Sequence, residues 1–179
     1  MIDPSRRTDQ IKKLAANANL TIKGIFETHI HKDYITGGFI LSKELNVPYY
    51  ISALEPVQFK AYKIKAQDII TIGQLKITAI ASPGHTYSHL SYLIEFDSAV
   101  PVLFSGGSLL YGSVGRPDLI SAKDTPILAK AQYATAKNYR AKLNHATLLY
   151  PTHGFGSFCS SGSTELLSLS QNWRIFSGY

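Results

Sequence analysis

Four of the chain's six histidines stand just past short apolar, β-branched runs. His29 and His31 follow residues 21–27, His85 follows residues 75–81, and His153 follows residues 147–150. With Asp33, the first pair forms His-x-His-x-Asp, which sets three metal-ligand types at alternate positions. Imidazole and carboxylate suit zinc, iron or manganese, and a catalytic ion needs about three protein ligands and an open position. Singly, each histidine has a plainer explanation: a surface pair at 29 and 31, turn residues at 85 and 153. Taken together the pattern is a costly coincidence, because loops leaving successive strands converge on one edge of a sheet. His89 and His145 read as structural.

The elements that must carry these residues follow from periodicity. Residues 9–19 place Ile11, Leu14, Ala15 and Ala18 on one helical stripe. Residues 21–27 read as a strand, 35–45 as a helix and 47–52 as a second strand, a β-loop-α-β order with polar residues at the strand's C-terminal end. Four strand-like runs follow at 68–72, 75–81, 90–96 and 100–104, broken by turn chemistry at Gly73-Gln74, Ser82-Pro-Gly84 and Asp97-Ser98. They predict an antiparallel set. Residues 125–143 return to helix and 147–150 form a last strand.

Composition bounds the function. A chain of 179 residues, 45% hydrophobic and 17% charged, supports one domain with a sizeable core over residues 1–179. The net charge of +6 comes from scattered lysines without a stripe or aromatic-basic platform, which argues against nucleic-acid binding. One cysteine, Cys159, excludes an internal disulfide and fits a reducing, cytoplasmic setting. Neither a signal peptide nor a run of about 20 apolar residues is visible, so no membrane contact is expected.

The motifs resemble a known family. Glu27-Thr-His-Ile-His-Lys-Asp-Tyr34 is similar to the Thr-His-x-His-x-Asp-His signature of the metallo-β-lactamase superfamily. Ser82-Pro-Gly-His-Thr86 resembles its Pro-Gly-His-Thr element, and Pro151-Thr-His-Gly154 its last histidine. Leu103-Phe-Ser-Gly-Gly-Ser108 falls where the family has Phe-Thr-Gly-Asp. Gly112-Ser-Val-Gly-Arg-Pro-Asp-Leu119 and Gly154-Phe-Gly-Ser-Phe-Cys159 are similar to stretches of bacterial persulfide dioxygenases, which occur alone or fused to rhodanese domains. The likeness runs from about residue 3 to 159. It implies an αββα sandwich, in the branch that holds persulfide dioxygenases and glyoxalase II.

Two departures set the expected chemistry. The family's bridging carboxylate is here Gly107, and the last histidine of its first motif is Tyr34. A second metal would keep only Asp33 and His153, so a dinuclear centre is not expected. The resemblance maps the iron ligands of a persulfide dioxygenase onto His29 and His85 with the third position empty; His31 would complete a three-histidine site by turning inward. Asp33 is then a catalytic or imidazole-holding carboxylate. One Fe(II) or Zn(II) is the implied cofactor, and Gly107→Asp is expected to raise iron occupancy. Arg116 is implied to hold the carboxylate of a thiol substrate such as glutathione persulfide, against a plainer pairing with Asp118. The implied activity is persulfide oxidation in sulfur metabolism, impaired by the missing carboxylate. The alternatives are a glyoxalase II-like thioester hydrolase and a non-catalytic remnant. Met1-Ile-Asp-Pro4 resembles the segment that follows the family's first strands, implying an N-terminally truncated sandwich with an exposed sheet edge; a shortened chain, a homodimer or a decaying gene are the alternatives.

Overall fold

A computed structural model describes residues 1–153 and 168–171. In chain order the elements are α1 (Thr8–Asn17), β1 (Ile25–Phe26), α2 (Gly38–Leu45), β2 (Tyr49–Ser52), β3 (Tyr62–Ile64), β4 (Ile69–Ile72), β5 (Leu75–Ala81), β6 (Leu90–Glu95), β7 (Val102–Gly106), β8 (Leu109–Leu110), β9 (Ser113–Val114), α3 (Thr125–Lys142) and β10 (Leu148–Pro151). Parallel β1, β2 and β3 form one sheet, and Ile2 bridges to Phe26 in parallel on the far side of β1. The second sheet has the order β10-β7-β6-β5-β4, antiparallel except where β10 meets β7.

Period-two alternation decides which layer each strand residue joins. Ile25 packs outward with Leu41, Tyr49 and Ile51, a cluster that Ile11 of α1 and Phe39 of α2 also border. Phe26, the next residue, faces inward and meets Ile77, Ala79, Leu90 and Tyr92 of the second sheet. Leu103 and Leu149 on the outer side of that sheet pack with Tyr139 of α3 and with Leu169. Helices therefore cover both outer faces, as the αββα expectation requires.

Helix α3 does more than cover a sheet. Its buried residues are Leu128, Gln132, Thr135 and Tyr139, spaced four, three and four apart on one face. Three of the four are polar, and each holds a neighbouring segment. Gln132 donates to the carbonyl of Ser108, Thr135 to the carbonyl of Pro83, and Tyr139 to the hydroxyl of Ser91. The loops that carry Gly107 and His85 are thus tied to one rigid element.

Some elements differ from the sequence expectation. Only Ile25–Phe26 of the expected strand at 21–27 is laddered, because β2 lies opposite those two residues alone. Strand β3 and the β8–β9 hairpin were not expected. Beside Met1 and Ile2 a groove of about 740 Å³ opens between the sheets, lined by apolar residues that include Leu14, Leu20, Ile77 and Phe104. Among the described residues no helix is long and apolar enough to cross a membrane.

Candidate metal centre

The histidine loops converge. The ring centroid of His29 lies 4.1 Å from that of His31, 4.8 Å from His85 and 5.5 Å from His153. All four residues are buried. Ligand atoms of His29, His85 and His153 lie within 4.8 Å of one another, and so do those of His31, Asp33 and His153. The three-histidine set that the fold assembles is therefore His29, His85 and His153. His31 groups instead with Asp33, a difference from the expected His29, His31 and His85.

Hydrogen bonding fixes which ring nitrogen of each imidazole carries the proton. Thr28 Oγ1 donates to Asp3 Oδ2 at 2.7 Å, so it accepts from His29 Nδ1 at 2.9 Å. His85 Nδ1 lies 3.0 Å from the carbonyl oxygen of Arg116, which only accepts. His153 Nδ1 lies 3.1 Å from Asp33 Oδ2. In each ring Nδ1 bears the hydrogen and the Nε2 lone pair turns toward the pocket. His31 is reversed: Nε2 faces Asp3 Oδ1 at 3.3 Å and the Tyr34 hydroxyl at 3.1 Å, while buried Nδ1 has no hydrogen-bond partner. Outer nitrogens tied to acceptors and inner lone pairs aimed at one space are the pattern of metal-ligating histidines. A buried lone pair without a donor is costly, and a cation relieves it. The residues fit a metal.

Electrostatics keep the pocket ready for a cation. Burial, then the neighbouring imidazoles, hold His29 well below its ordinary value. Burial lowers His85 to about 4, and it lowers His153 in the same direction. The rings are therefore neutral at neutral pH. Behind them, burial and then the Asp3 charge push Glu27 up to about 9, so that carboxyl is protonated. Burial opposes the Asp3 carboxylate, but hydrogen bonds from His31, Thr152 and the Thr28 amide hold it below the usual range. One negative charge thus backs His31.

The other expected residues have definite places. Asp33 lies at the mouth, its carboxylate 18% exposed. The Tyr34 hydroxyl donates to the Asp3 carbonyl and points away from the pocket. The Arg116 guanidinium makes a two-pronged pair with Asp118, at 3.0 and 2.8 Å, and it is the Arg116 backbone that reaches the site. His89 is structural, as expected: its Nε2 accepts from the Gly107 amide at 3.0 Å and its Nδ1 meets Ser82 Oγ at 2.7 Å. His145 is exposed and bonds the Arg140 carbonyl. Cys159 and the 154–159 stretch lie outside the described residues.

Gly107 departs from a simple vacancy. A Cβ built there would stand 2.4 Å from His85 Cδ2 and 2.8 Å from His85 Nε2. The imidazole of His85 occupies the space that a side chain at 107 would enter. Sequence reasoning missed Asp3 as a site residue. It accepts from the Thr28 amide and hydroxyl, from Thr152 and from His31, joining three site segments.

Comparison with known proteins agrees with this geometry. A family model described as the Metallo-beta-lactamase superfamily matches residues 1–153. A hydroxyacylglutathione hydrolase of Dictyostelium discoideum is 28% identical over 185 residues, covering 99% of this chain and 65% of that protein. A metallo-beta-lactamase structure from Staphylococcus aureus subsp. aureus COL superposes with a TM-score of 0.89 at 29% identity, covering 97% of this chain and 54% of the other. ETHE1 from Myxococcus xanthus superposes with a TM-score of 0.80 at 26% identity, over 97% and 70% of the two chains. The chain spans about half the length of the curated relatives it matches, 65% of the Dictyostelium discoideum protein.

Proposed function

The chain belongs to the metallo-beta-lactamase superfamily, and from that premise we propose that it is a metal-dependent hydrolase of small-thiol thioesters, of the glyoxalase II kind. The observation that carries the reading is the pocket of neutral imidazoles, with inner lone pairs and no carboxylate at position 107. Imidazole-only sets with an open position suit hydrolytic zinc, whereas non-haem iron oxygenases use two histidines and a carboxylate. The curated relatives named hydroxyacylglutathione hydrolase support the same substrate class.

Bound there, a divalent ion supplies Lewis acidity and an acidified water. The chain's own residues do the rest. His29, His85 and His153 would hold the ion through Nε2, each ring oriented by its Nδ1 partner. Asp33 Oδ2, 3.1 Å from His153 Nδ1, fixes the tautomer and orientation of that imidazole. The burial of the rings keeps bulk water from the reacting centre.

The test is release of glutathione from a hydroxyacylglutathione by protein reconstituted with zinc. Hydrolysis should be chelator-sensitive and fall at least a hundredfold in His85→Ala. No thiol release from zinc-loaded protein sinks the proposal. A persulfide dioxygenase is the second reading, favoured by Gly115-Arg-Pro-Asp118 lying against His85 and by the likeness to ETHE1. Iron-loaded protein that consumes O₂ and makes sulfite from glutathione persulfide would establish it in place of the first.

A further inference from the structure

We infer that the pocket binds one ion rather than a pair, that His153 ligates it together with His29 and His85, and that Asp33 orients His153 instead of ligating a second metal. The inference rests on the metal-dependent reading above and specifies how its site is built.

Three observations carry it. His29 Nε2 and His153 Nε2 lie 3.5 Å apart. Their outer nitrogens already hold the ring protons, so this contact joins two lone pairs and is not a hydrogen bond. Two nitrogens on one tetrahedral zinc, each 2.0–2.1 Å from it, stand about 3.3–3.4 Å apart. The spacing is that of two ligands on a shared ion.

Second, Asp33 is committed elsewhere. Its Oδ2 receives the Nδ1 hydrogen of His153, the arrangement in which a carboxylate fixes the tautomer of a ligating imidazole. Third, the usual means of separating two ions are gone. Position 107 carries no bridging carboxylate, and the ring of His85 fills the space beside it. The Tyr34 hydroxyl is bonded to Asp3 and His31, on the far side of the imidazoles.

The experiment is titration of the metal-free full chain with Co(II), followed by visible d–d absorption and by calorimetry. Saturation is expected at one equivalent, with the strong absorption of a four-coordinate centre and no spin coupling in the EPR spectrum. His153→Ala should weaken Co(II) binding at least tenfold and alter the absorption band, with circular dichroism checking that the variant is folded. His153→Gln serves as the second variant, and exposed His145→Ala, which should bind as wild type, as the control. Asp33→Asn should keep one equivalent and weaken binding less than His153→Ala. Two equivalents, or one equivalent with affinity and spectrum unchanged in folded His153 variants, overturns the inference and leaves the hydrolase reading standing. A wild-type chain that takes up no Co(II) or Zn(II) overturns both.

Discussion

Restoring the carboxylate at position 107 is the sharpest test of this site, and the structure reverses its expected sign. By resemblance alone, Gly107→Asp returns a missing ligand and raises metal occupancy. In the fold, any Cβ there stands 2.4 Å from His85 Cδ2. Carbon–carbon contact needs about 3.5–4.0 Å, so the imidazole must retreat by roughly 1 Å or more. The ring is buried and its Nδ1 is held by the Arg116 carbonyl, so it cannot retreat without breaking that 3.0 Å bond. Overpacking costs about 1–3 kcal/mol and the lost hydrogen bond about 0.5–1.5 kcal/mol. A total of about 2–4 kcal/mol corresponds to a Tm drop of about 5–15 °C for a chain of this length.

The same displacement removes His85 from the ion, so zinc or cobalt affinity should fall at least tenfold instead of rising. Scanning calorimetry of the metal-free protein and calorimetric metal titration measure the two effects. Gly107→Ala separates sterics from charge. The backbone at 107 is not left-handed, so alanine meets the clash and nothing else, and it should lose nearly as much stability as aspartate. Higher metal occupancy in Gly107→Asp with an unchanged Tm would show that His85 yields without cost, and the steric reasoning would be wrong.

Two further outcomes follow from buried charge. Burial lowers His89 to about 3 and His85 to about 4, while unfolded histidines titrate near 6.5. Below pH 6.5 the unfolded chain binds protons that the native chain refuses, so stability present at pH 7 is lost as pH falls toward 4, by a few kcal/mol. The urea midpoint of metal-free protein should drop steadily across that window. Asp3→Ala should cost on the order of 3–5 kcal/mol by urea denaturation, because one buried charge anchors Thr28, His31 and Thr152. It should also weaken metal binding about 10- to 100-fold, since the Thr28 hydroxyl that fixes the His29 ring loses its acceptor.

Much of the fold was legible because long, regular segments announce themselves. The run at 75–81 is strand β5 to the residue, and the helix expected at 125–143 is α3 with one residue fewer. The antiparallel order of four strands follows from turn residues between them. Strand β3 was invisible because only Ile64 of its three residues is buried, so no alternation marks it. The β8–β9 hairpin has two residues per strand, too few for any period. Within the site, the histidines were legible as a motif, and Asp3 was not. Its partners lie 25, 28 and 149 positions away, and no local pattern near the N-terminus points to them. Arg116 was legible for its side chain, which makes the expected pair with Asp118, while the contact of its carbonyl with His85 was not, because a backbone atom leaves no mark in the sequence.

Gly107 looks from the sequence like the loss of a site, yet the surrounding atoms use its absence of a side chain. Its amide donates to His89, and His85 leans into the space above it. Adjacent Gly106 takes a left-handed φ of +58°, with Thr28 and His89 too close for a Cβ. A turn this bare lets the imidazoles approach one another, but it leaves a divalent ion without a carboxylate at 107. The compensation lies one bond further out. Asp3 backs His31 and Asp33 backs His153, while Glu27 stays protonated, so two negative charges face the pocket through imidazole rings. Charge balance for a divalent ion held there would thus come through orienting carboxylates, without a carboxylate among the ligands.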